Sequence, residues 1–337
     1  MSPKLSPKTS RMRPATFVIA AAALSTVAAW DAFTPAPAHA QTIAYYRFEE
    51  GAPGEKVPVT PDETAPATSP VLDYSGNGNH MKTFADFSAP TYGADVPAGV
   101  VPQTDAANAR GLLFSPNQDV YSLNAVGGGP GGGTLNDHAF PLFTIEASVR
   151  FSSLDGFQTF VGRDRPGETL GSFYLRKWGS LGEDDPNVNA LNVTVVADDG
   201  TTYDLWTTGT GAGDTFSTVS ADVWYNVAAQ SDGSTLSLFV QNNTTGVYEL
   251  QGSIAMTGGL SNTGNTNFTI GRGWFNGPAD WVNGAVDEVR ISDQALAPSQ
   301  FLFSPRAVIP EPSSLALMIA AGLVPLAGAA VRRRRRF

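Results

Sequence analysis

Hydrophobic and polar residues alternate in short segments along most of the chain, and Gly, Asn, Asp and Pro separate these segments. In the segment FTIEASVRF, from Phe143 to Phe151, every second residue is hydrophobic. Successive side chains of a strand point to opposite faces of a sheet, so this pattern predicts an antiparallel strand that buries one face. The same pattern predicts ten further strands: Ile43 to Phe48, Gly111 to Phe114, Gln158 to Gly162, Ser172 to Lys177, Ala190 to Val196, Tyr203 to Thr207, Trp224 to Ala229, Thr235 to Gln241, Thr269 to Arg272 and Val286 to Ser292.

The turn residues between these segments predict how the strands are connected. Asp199-Gly200 and Asp232-Gly233 each lie between two predicted strands, where Asp-Gly is typical of a tight hairpin. A helical period does not persist anywhere except near the two ends of the chain. Many short, evenly spaced strands predict an all-β fold, a two-sheet antiparallel β-sandwich or jelly roll.

The N-terminal 40 residues have the pattern of a signal peptide. Four basic residues precede the apolar run ATFVIAAAALSTVAAW, and Ala38 and Ala40 supply the small side chains that signal peptidase accepts before Gln41. This pattern predicts export by the general secretion machinery. The alternative interpretation is a short membrane anchor.

The C-terminal end carries a second apolar run, Leu315 to Val331, which is long enough to span a bilayer core. A block of five arginines follows it: Arg332, Arg333, Arg334, Arg335 and Arg336. Basic residues stay on the cytoplasmic side of a membrane, so the preceding part of the chain is expected outside. The pattern therefore predicts a single transmembrane helix that holds an exported domain at the membrane.

The residues before this run narrow the prediction. Pro310, Glu311 and Pro312, then the apolar run, then the arginines resemble the PEP-CTERM sorting signal of Gram-negative bacteria. The resemblance implies that a membrane-embedded exosortase recognises the Pro-Glu-Pro motif and releases or transfers the body to the cell surface or extracellular matrix. The alternative is a permanent tail anchor. We divide the chain into a signal peptide (1–40), a β-sandwich (41–305) and the sorting signal (306–337).

Charge and composition exclude several classes of partner. The chain of 337 residues has a net charge of -10, and both ends are basic. Between the ends, 12 Lys and Arg stand against 29 Asp and Glu, an excess of 17 negative charges. Such a body repels nucleic acid and anionic lipid, whereas divalent cations and neutral sugars suit it. The absence of Cys excludes disulfides and thiolate metal sites.

Several segments of the body resemble one family. The segments YYRFEEG, LDYSGNGNH, FTIEASVRF and, near the end, GAVDEVRIS are similar to those of laminin-G-like, concanavalin A-like lectin/glucanase jelly rolls. The resemblance extends over nearly the whole body and implies one domain. In that family the first and last strands lie close together, and many members bind a structural calcium ion.

Three carboxylates are the candidate ligands of such a Ca²⁺ ion: Glu50, Asp73 and Asp287. In a regular strand Asp287 shares the face of Val289 and Ile291, and a carboxylate on a core face needs a cation or hydrogen bonds. The alternative is that Asp287 accepts hydrogen bonds from the protein and that Asp73 closes an Asx turn.

A loop near the end of the body has the composition of a carbohydrate site. Aromatic rings pack against the apolar face of a sugar while amides read its hydroxyls, and Trp274, Phe275, Asn276 and Trp281 offer both. The alternative for Trp281 is a core position, and the sequence leaves open whether Trp178 and Trp206 line a concave face or pack. Catalytic residues are not predicted, because the sequence contains neither the alternating carboxylates of a glycosidase strand nor a nucleophile elbow. The sequence thus predicts a noncatalytic surface or matrix protein that binds extracellular polysaccharide. A purely structural or adhesive matrix protein and, second, a glycoside hydrolase or polysaccharide lyase remain alternatives.

Overall fold

The structure is a computed structural model that describes residues 42–60, 71–84, 88–122, 135–207, 218–262 and 266–306. The predicted signal peptide with Ala38 and Ala40 lies outside the described residues, and so do the Pro-Glu-Pro motif, the apolar run and the arginine block. Within the described ranges, no helix is long and apolar enough to cross a membrane.

The described elements are almost entirely strands. In chain order they are β1 (Thr42–Tyr46), β2 (Val59–Thr60), β3 (Met81–Phe84), β4 (Thr91–Gly93), β5 (Val100–Val101), β6 (Ala106–Ala107), β7 (Gly111–Phe114), β8 (Val120–Ser122), β9 (Phe143–Phe151), β10 (Gln158–Arg163), β11 (Phe173–Lys177), β12 (Leu191–Val196), β13 (Thr202–Trp206), β14 (Trp224–Ser231), β15 (Thr235–Gln241), β16 (Tyr248–Ala255), β17 (Phe268–Ile270), β18 (Gly273–Trp274), β19 (Pro278–Ala279), β20 (Gly284–Ser292) and the 3-10 helix Pro298–Gln300.

Two sheets of eight strands form a sandwich. The first sheet has the order β16-β15-β14-β9-β20-β7-β4, and β1 also pairs with β20. The second sheet has the order β13-β12-β11-β10-β17-β8-β3-β2. All neighbouring strands in the two sheets are antiparallel except the short β2–β3 pair. The all-β, two-sheet prediction is therefore confirmed.

The main core lies between the two sheets. Phe143 and Phe151 of β9 contact rings of the second sheet edge to face, with centroid distances of 6.0 Å to Phe173 and 6.2 Å to Phe160. The hydrophobic positions predicted for this strand all belong to this core. The alternation along β9 therefore gives the correct inward face.

A second layer covers the outer face of the first sheet. The C-terminal strap, residues 294–306, crosses that face, and the β5–β6 hairpin lies beside it. Phe301 of the strap packs edge to face against Phe239 and Tyr248, at centroid distances of 5.4 and 4.9 Å. The backbone N–H of Leu302 donates to Glu146 at 2.7 Å. The strap thus seals a face that a two-layer sandwich leaves in water.

This cover corrects the prediction that β9 buries only one face. The polar residues Thr144, Glu146 and Ser148 are at most 1% exposed. Alternation within a strand identifies its inner face, but it carries no information about a distant segment that packs on the outer one. The bounds of β7, β9 and β15 match the predicted ones, whereas β16 was missed because its hydrophobic residues are few and one of them, Leu250, is exposed.

Both predicted Asp-Gly turns are present. Gly200 connects β12 to β13 and Gly233 connects β14 to β15, each with φ of 84°. Glycine adopts this left-handed conformation without a steric penalty.

Candidate functional site

The hairpin β18–β19 connects β17 to β20 and carries the predicted ligand-binding residues. We call residues 273–281 the aromatic hairpin. The chain reverses at Asn276, with φ of 55°, and the N–H of Phe275 donates to the carbonyl of Gly277 at 2.7 Å. Asn tolerates the left-handed region better than most residues, so the sequence Phe-Asn-Gly is suited to this tight turn.

A buried ion-pair network fixes the base of the aromatic hairpin. Arg272 donates two hydrogen bonds to Asp164, at 2.7 and 3.0 Å, and one to Asp119 at 2.6 Å. All three residues are at most 4% exposed. Burial alone would lower the pKa of Arg272, but the two carboxylates outweigh it and the pKa is raised. The guanidinium therefore stays charged and holds β8, β10 and the hairpin together.

The side of the aromatic hairpin is attached to the loop between β10 and β11. The indole N–H of Trp274 donates to the carbonyl of Glu168 at 3.0 Å, and the N–H of Asn276 donates to the carbonyl of Thr169 at 2.8 Å. The hydroxyl of Tyr174 donates to the carbonyl of Trp274. These bonds leave the hairpin little freedom to change its position.

The four predicted residues lie on one hairpin but differ in exposure. Phe275 is 57% exposed and Asn276 is exposed, whereas Trp274 and Trp281 are half-buried. The indole ring of Trp281 faces the guanidinium of Arg272, with the guanidinium carbon 6.0 Å from the ring centroid. Phe275 is therefore the residue of this set that offers a large open ring to a ligand.

An arginine surrounded by aromatic rings lies beside the aromatic hairpin, on the outer face of the second sheet. The guanidinium carbon of Arg176 is 4.6 Å from the ring centroid of Tyr174, 4.7 Å from that of Trp178 and 5.4 Å from that of Phe157. Trp178 packs edge to face on Trp206 at 5.2 Å. The sequence leaves open whether these two tryptophans line a face or pack, and the structure shows that they pack against each other.

Polar contacts fix Arg176 in this position. Its guanidinium donates to Asn192 at 2.9 Å, to Thr194 at 3.2 Å and to Asp280 of the aromatic hairpin at 3.3 Å. Burial lowers the pKa of Arg176 and the carboxylate of Asp280 opposes that shift. Arginine has an ordinary pKa above 12, so it remains charged. Sequence reasoning missed Arg176, although Tyr174, Arg176 and Trp178 occur at every second position of YLRKW and so predict a common face.

The structure places the predicted metal ligand Asp73 in an Asx turn. Its carboxylate accepts hydrogen bonds from the backbone N–H groups of Tyr45 (2.9 Å), Ser75 (2.8 Å) and Asn79 (2.9 Å), and from the Ser75 hydroxyl at 2.8 Å. Both oxygens thus have protein partners. Glu50, another predicted ligand, accepts from the N–H of Leu72 at 3.0 Å.

The third predicted ligand, Asp287, faces away from the core, which corrects the face assigned from the sequence. A bulge interrupts β20 between Asp287 and Arg290, and Glu288 has φ of 48°. Because the bulge adds one residue, Val286 and Val289 both face the core while Asp287 pairs with Ser148 on the outer side. The period-two prediction failed because it assumed a regular strand.

Asp287 and Glu288 are both fully buried at this bulge. Asp287 accepts from the Asn108 side chain at 2.8 Å and from the N–H of Glu288 at 2.8 Å, while Glu288 accepts from the Tyr45 hydroxyl and from Arg47 at 3.2 Å. Burial raises the pKa of Glu288 to about 7 and raises that of Asp287 as well. In the part of the chain that the structure describes, no three His, Cys, Asp or Glu residues form a group suited to a metal ion. The three predicted ligands are thus not brought together, and calcium binding stays a prediction.

The match to a protein family agrees with the fold. Residues 128–300 match the laminin G family profile described as the Concanavalin A-like lectin/glucanases superfamily. A search of curated proteins finds no match.

Similar solved structures include domain 4 of AbnA, a GH43 extracellular arabinanase from Geobacillus stearothermophilus solved with arabinotriose (16% identity, TM-score 0.44, covering 78% of this chain and 97% of that one). Another is the CBM40 of the Ruminococcus gnavus IT-sialidase bound to α2,3-sialyllactose (18%, 0.39, 52% and 88%). A third is the binding domain of Paraclostridial Mosquitocidal Protein 1 (13%, 0.45, 78% and 52%). Because the family profile matches slightly more than half of the 337 residues and the chain folds as the predicted two-sheet sandwich, this protein belongs to the Concanavalin A-like lectin/glucanases superfamily.

Proposed function

We propose that the protein is an exported, noncatalytic carbohydrate-binding protein whose main ligand surface is the aromatic hairpin. The observation that carries this proposal is the exposed ring of Phe275 at the tip of a hairpin with a fixed base. A large exposed ring on a rigid support offers apolar contact area without a further loss of conformational entropy. The adjacent Asn276 supplies an amide for sugar hydroxyls.

The carboxylates around the aromatic hairpin support a noncatalytic role. Hydrolysis of a glycosidic bond needs two carboxyl groups that flank the bond, one of them free to exchange a proton. Asp119 and Asp164 are held by Arg272, and Asp280 is held by Arg176. Glu146 and the acidic pair at the β20 bulge are buried beneath the strap and its neighbouring hairpin. These groups are committed to structural contacts, whereas Glu168 on the adjoining β10–β11 loop is exposed and its carboxylate forms only a long ion pair with Arg165, at 3.9 Å.

The test is binding of the full-length protein to a panel of soluble polysaccharides, measured by calorimetry and by the thermal unfolding midpoint. A ligand that binds only the native state raises the midpoint. We expect at least one polysaccharide to bind and Phe275→Ala to weaken binding about tenfold or more, since one well-placed aromatic contact contributes roughly 1.5 kcal/mol. The matched control is Val100→Ala, which removes a side chain of similar exposure (50%) from β5.

If no polysaccharide binds, or if Phe275→Ala and Val100→Ala bind equally well, the surface is not a sugar site. The purely structural or adhesive matrix function would then be favoured. Cleavage of a bound polysaccharide would instead favour the enzyme alternative. New reducing ends would indicate hydrolysis, and unsaturated products would indicate lyase cleavage.

We also propose that the C-terminal segment is an exosortase-processed sorting signal, a proposal that rests on the sequence alone. Pro310 lies four residues after Arg306, the last described residue. Replacing Pro310, Glu311 and Pro312 by Ala should keep the tail attached, and mass spectrometry of the membrane and released fractions would show this. Cleavage of the triple variant at the same position as the natural chain would contradict the proposal.

Calcium binding is tested separately, by measuring the thermal unfolding midpoint with Ca²⁺ and with EDTA. A structural Ca²⁺ ion would raise the unfolding midpoint relative to EDTA, because binding to the native state stabilises it. An unchanged midpoint in millimolar Ca²⁺ would remove the predicted metal site without affecting the carbohydrate proposal.

A further inference from the structure

A second polar depression lies in the first sheet, where β14 begins, β15 ends and β16 begins. We call it the amide pocket; Tyr225, Val240, Asn242, Asn243, Glu249 and Gln251 line it. Its volume is about 150 Å³. It shares no residue with the aromatic hairpin, which is attached to the second sheet.

A β-bulge places Gln251 in this pocket. Leu238 pairs with Gly252 and the next residue, Phe239, pairs with Leu250, so Gln251 is the extra residue of the ladder. Leu250 is 46% exposed on the outer side, whereas Gln251 is only 1% exposed. The inward Gln251 is followed by Gly252, which pairs with the core residue Leu238, so the bulge leaves a buried polar side chain at an edge strand.

The amide hydrogens of the pocket already hold its walls together. Asn242 donates to a carboxylate oxygen of Glu249 at 2.9 Å, Asn243 donates to the carbonyl of Trp224 at 3.3 Å, and Gln251 donates to the carbonyl of Glu249 at 3.2 Å. These bonds fix the orientation of the three amides. Each of these amides uses one of its two N–H groups in these bonds, so the pocket offers both N–H donors and oxygen acceptors to a ligand.

The buried oxygen of Gln251 is the strongest sign of a missing ligand. Its Oε1 accepts no hydrogen bond from any residue that the structure describes, although the side chain is almost completely buried. A buried polar atom without a partner costs about 1–3 kcal/mol, so native proteins rarely retain one without a reason. Because water does not reach this oxygen in the structure, a ligand donates to it only when the Gln251 side chain turns toward the pocket, and that hydrogen bond would remove the penalty.

Charge and size restrict that ligand. The carboxylate of Glu249 and the acidic body disfavour an anion, so a uronic or sialic acid is a poor fit. Pockets for drug-sized molecules have roughly 300–1,000 Å³, about two to seven times the volume found here. Hydroxyl groups supply the hydrogens that the oxygen acceptors need, and the side chains of Tyr225 and Val240 give an apolar wall.

We infer that the amide pocket binds one neutral sugar residue or a small polyol, whose hydroxyls donate hydrogen bonds to Gln251 and Glu249. The pocket is a second site, separate from the aromatic hairpin, and it selects neutral over anionic sugars. This inference deepens the proposed function, on which it rests for the class of ligand.

The test is ligand-observed NMR and calorimetry of the full-length protein with glucose, galactose, mannose, arabinose and glycerol, and with glucuronate as the anionic probe. We expect at least one neutral compound to bind and glucuronate to bind at least tenfold more weakly than its neutral parent, glucose. Gln251→Met keeps the length of the side chain but removes the acceptor, so it should weaken neutral binding about tenfold. Glu249→Gln retains an oxygen for Asn242 and removes the charge, so it should narrow the gap between glucose and glucuronate.

Phe275→Ala separates this inference from the proposed function. It should weaken polysaccharide binding and leave binding of the small neutral probe unchanged. If polysaccharide binding depends on Phe275 but none of the small neutral probes binds, the amide pocket is not a sugar site and the proposed function stands. Failure of both kinds of ligand overturns both. Equal neutral binding by the natural chain and Gln251→Met, or an unchanged glucose-to-glucuronate gap in Glu249→Gln, also overturns the inference.

Discussion

The outer faces of the two sheets both carry buried charged side chains, but different parts of the chain cover them. On the first sheet, the strap and the β5–β6 hairpin seal Glu146, Asp287 and Glu288 from water. On the second sheet, the aromatic hairpin covers only part of the face and leaves Phe275 exposed at its tip. The strap and the β5–β6 hairpin bury acidic side chains, whereas the aromatic hairpin exposes an aromatic ring to solvent. This difference assigns a structural role to the first face and a candidate binding role to the second.

The charges are neutralised differently as well. At the base of the aromatic hairpin, two buried carboxylates share one cation, Arg272. At the β20 bulge, Arg47 contacts Glu288 but Asp287 accepts only from an amide and a backbone N–H. Burial without a full set of cations raises the pKa of these two acids. Burial also raises the pKa of Asp119 and Asp164, so both sites depend on pH, and Glu288 is the acid whose pKa is raised to about 7.

The largest expected effect comes from breaking the network under the aromatic hairpin. Arg272→Leu leaves two carboxylates buried without their cation, which should lower the free energy of unfolding by about 3–5 kcal/mol. Denaturant unfolding measures this loss. The control is Arg306→Ala, which breaks an exposed ion pair with Asp105 and should cost about 1 kcal/mol or less. Similar losses in the two variants would contradict the assigned role of Arg272.

Removing the strap's main anchor should have the next largest effect. Phe301 is fully buried between Phe239 and Tyr248, and truncation to Ala should cost about 3 kcal/mol in the free energy of unfolding because a cavity remains. The exposed Leu250, on β16 of the same sheet, provides the control, and its change to Ala should be close to neutral. If both changes are close to neutral, the strap does not seal the first sheet.

The acids below this cover predict a smaller, pH-dependent effect. The pKa of Glu288 rises from an ordinary 4.5 to about 7 in the fold, so between these values the native state binds more protons than the unfolded state. The contribution of this group to stability should thus be fully present below pH 4.5 and be lost as pH rises to about 7, by on the order of 2 kcal/mol. Unfolding free energies across this pH range measure the slope.

Glu288→Gln should flatten that slope, since an amide does not titrate. Glu168→Gln is the control, because Glu168 is exposed on the second sheet's β10–β11 loop and its replacement should leave the slope in place. A slope of the opposite sign, or one that Glu288→Gln leaves unchanged, would show that Glu288 does not set the pH dependence.

The smallest effect on stability is expected at the tip of the aromatic hairpin. Phe275→Ala removes an exposed side chain, so the free energy of unfolding should change by no more than about 0.5 kcal/mol while polysaccharide binding weakens. Unfolding and binding of the same preparation would be compared. A large loss of stability would place Phe275 among the structural residues and remove the contrast between the two faces.

The class of fold and the inward-facing residues of β9 follow from local patterns in the sequence. Alternation is a local property that residues two positions apart encode, so the inward residues of β9 and the limits of β7 and β15 could be predicted from short segments. The Asp-Gly turns are local for the same reason. The sequence also placed the four predicted ligand-binding residues on one loop, since they are neighbours in the chain.

The contacts between distant segments and the positions of the bulges depend on the tertiary structure. Arg272 meets Asp164 and Asp119 across 108 and 153 positions, and Leu302 reaches Glu146 across 156, so no local pattern reveals these contacts. The bulges at Glu288 and Gln251 each add one residue, which reverses the alternation beyond them and moves Asp287 away from the core. A segment that covers the outer face of a sheet, and the face to which residues beyond a bulge point, both depend on contacts between distant parts of the chain. Local sequence patterns therefore do not predict them.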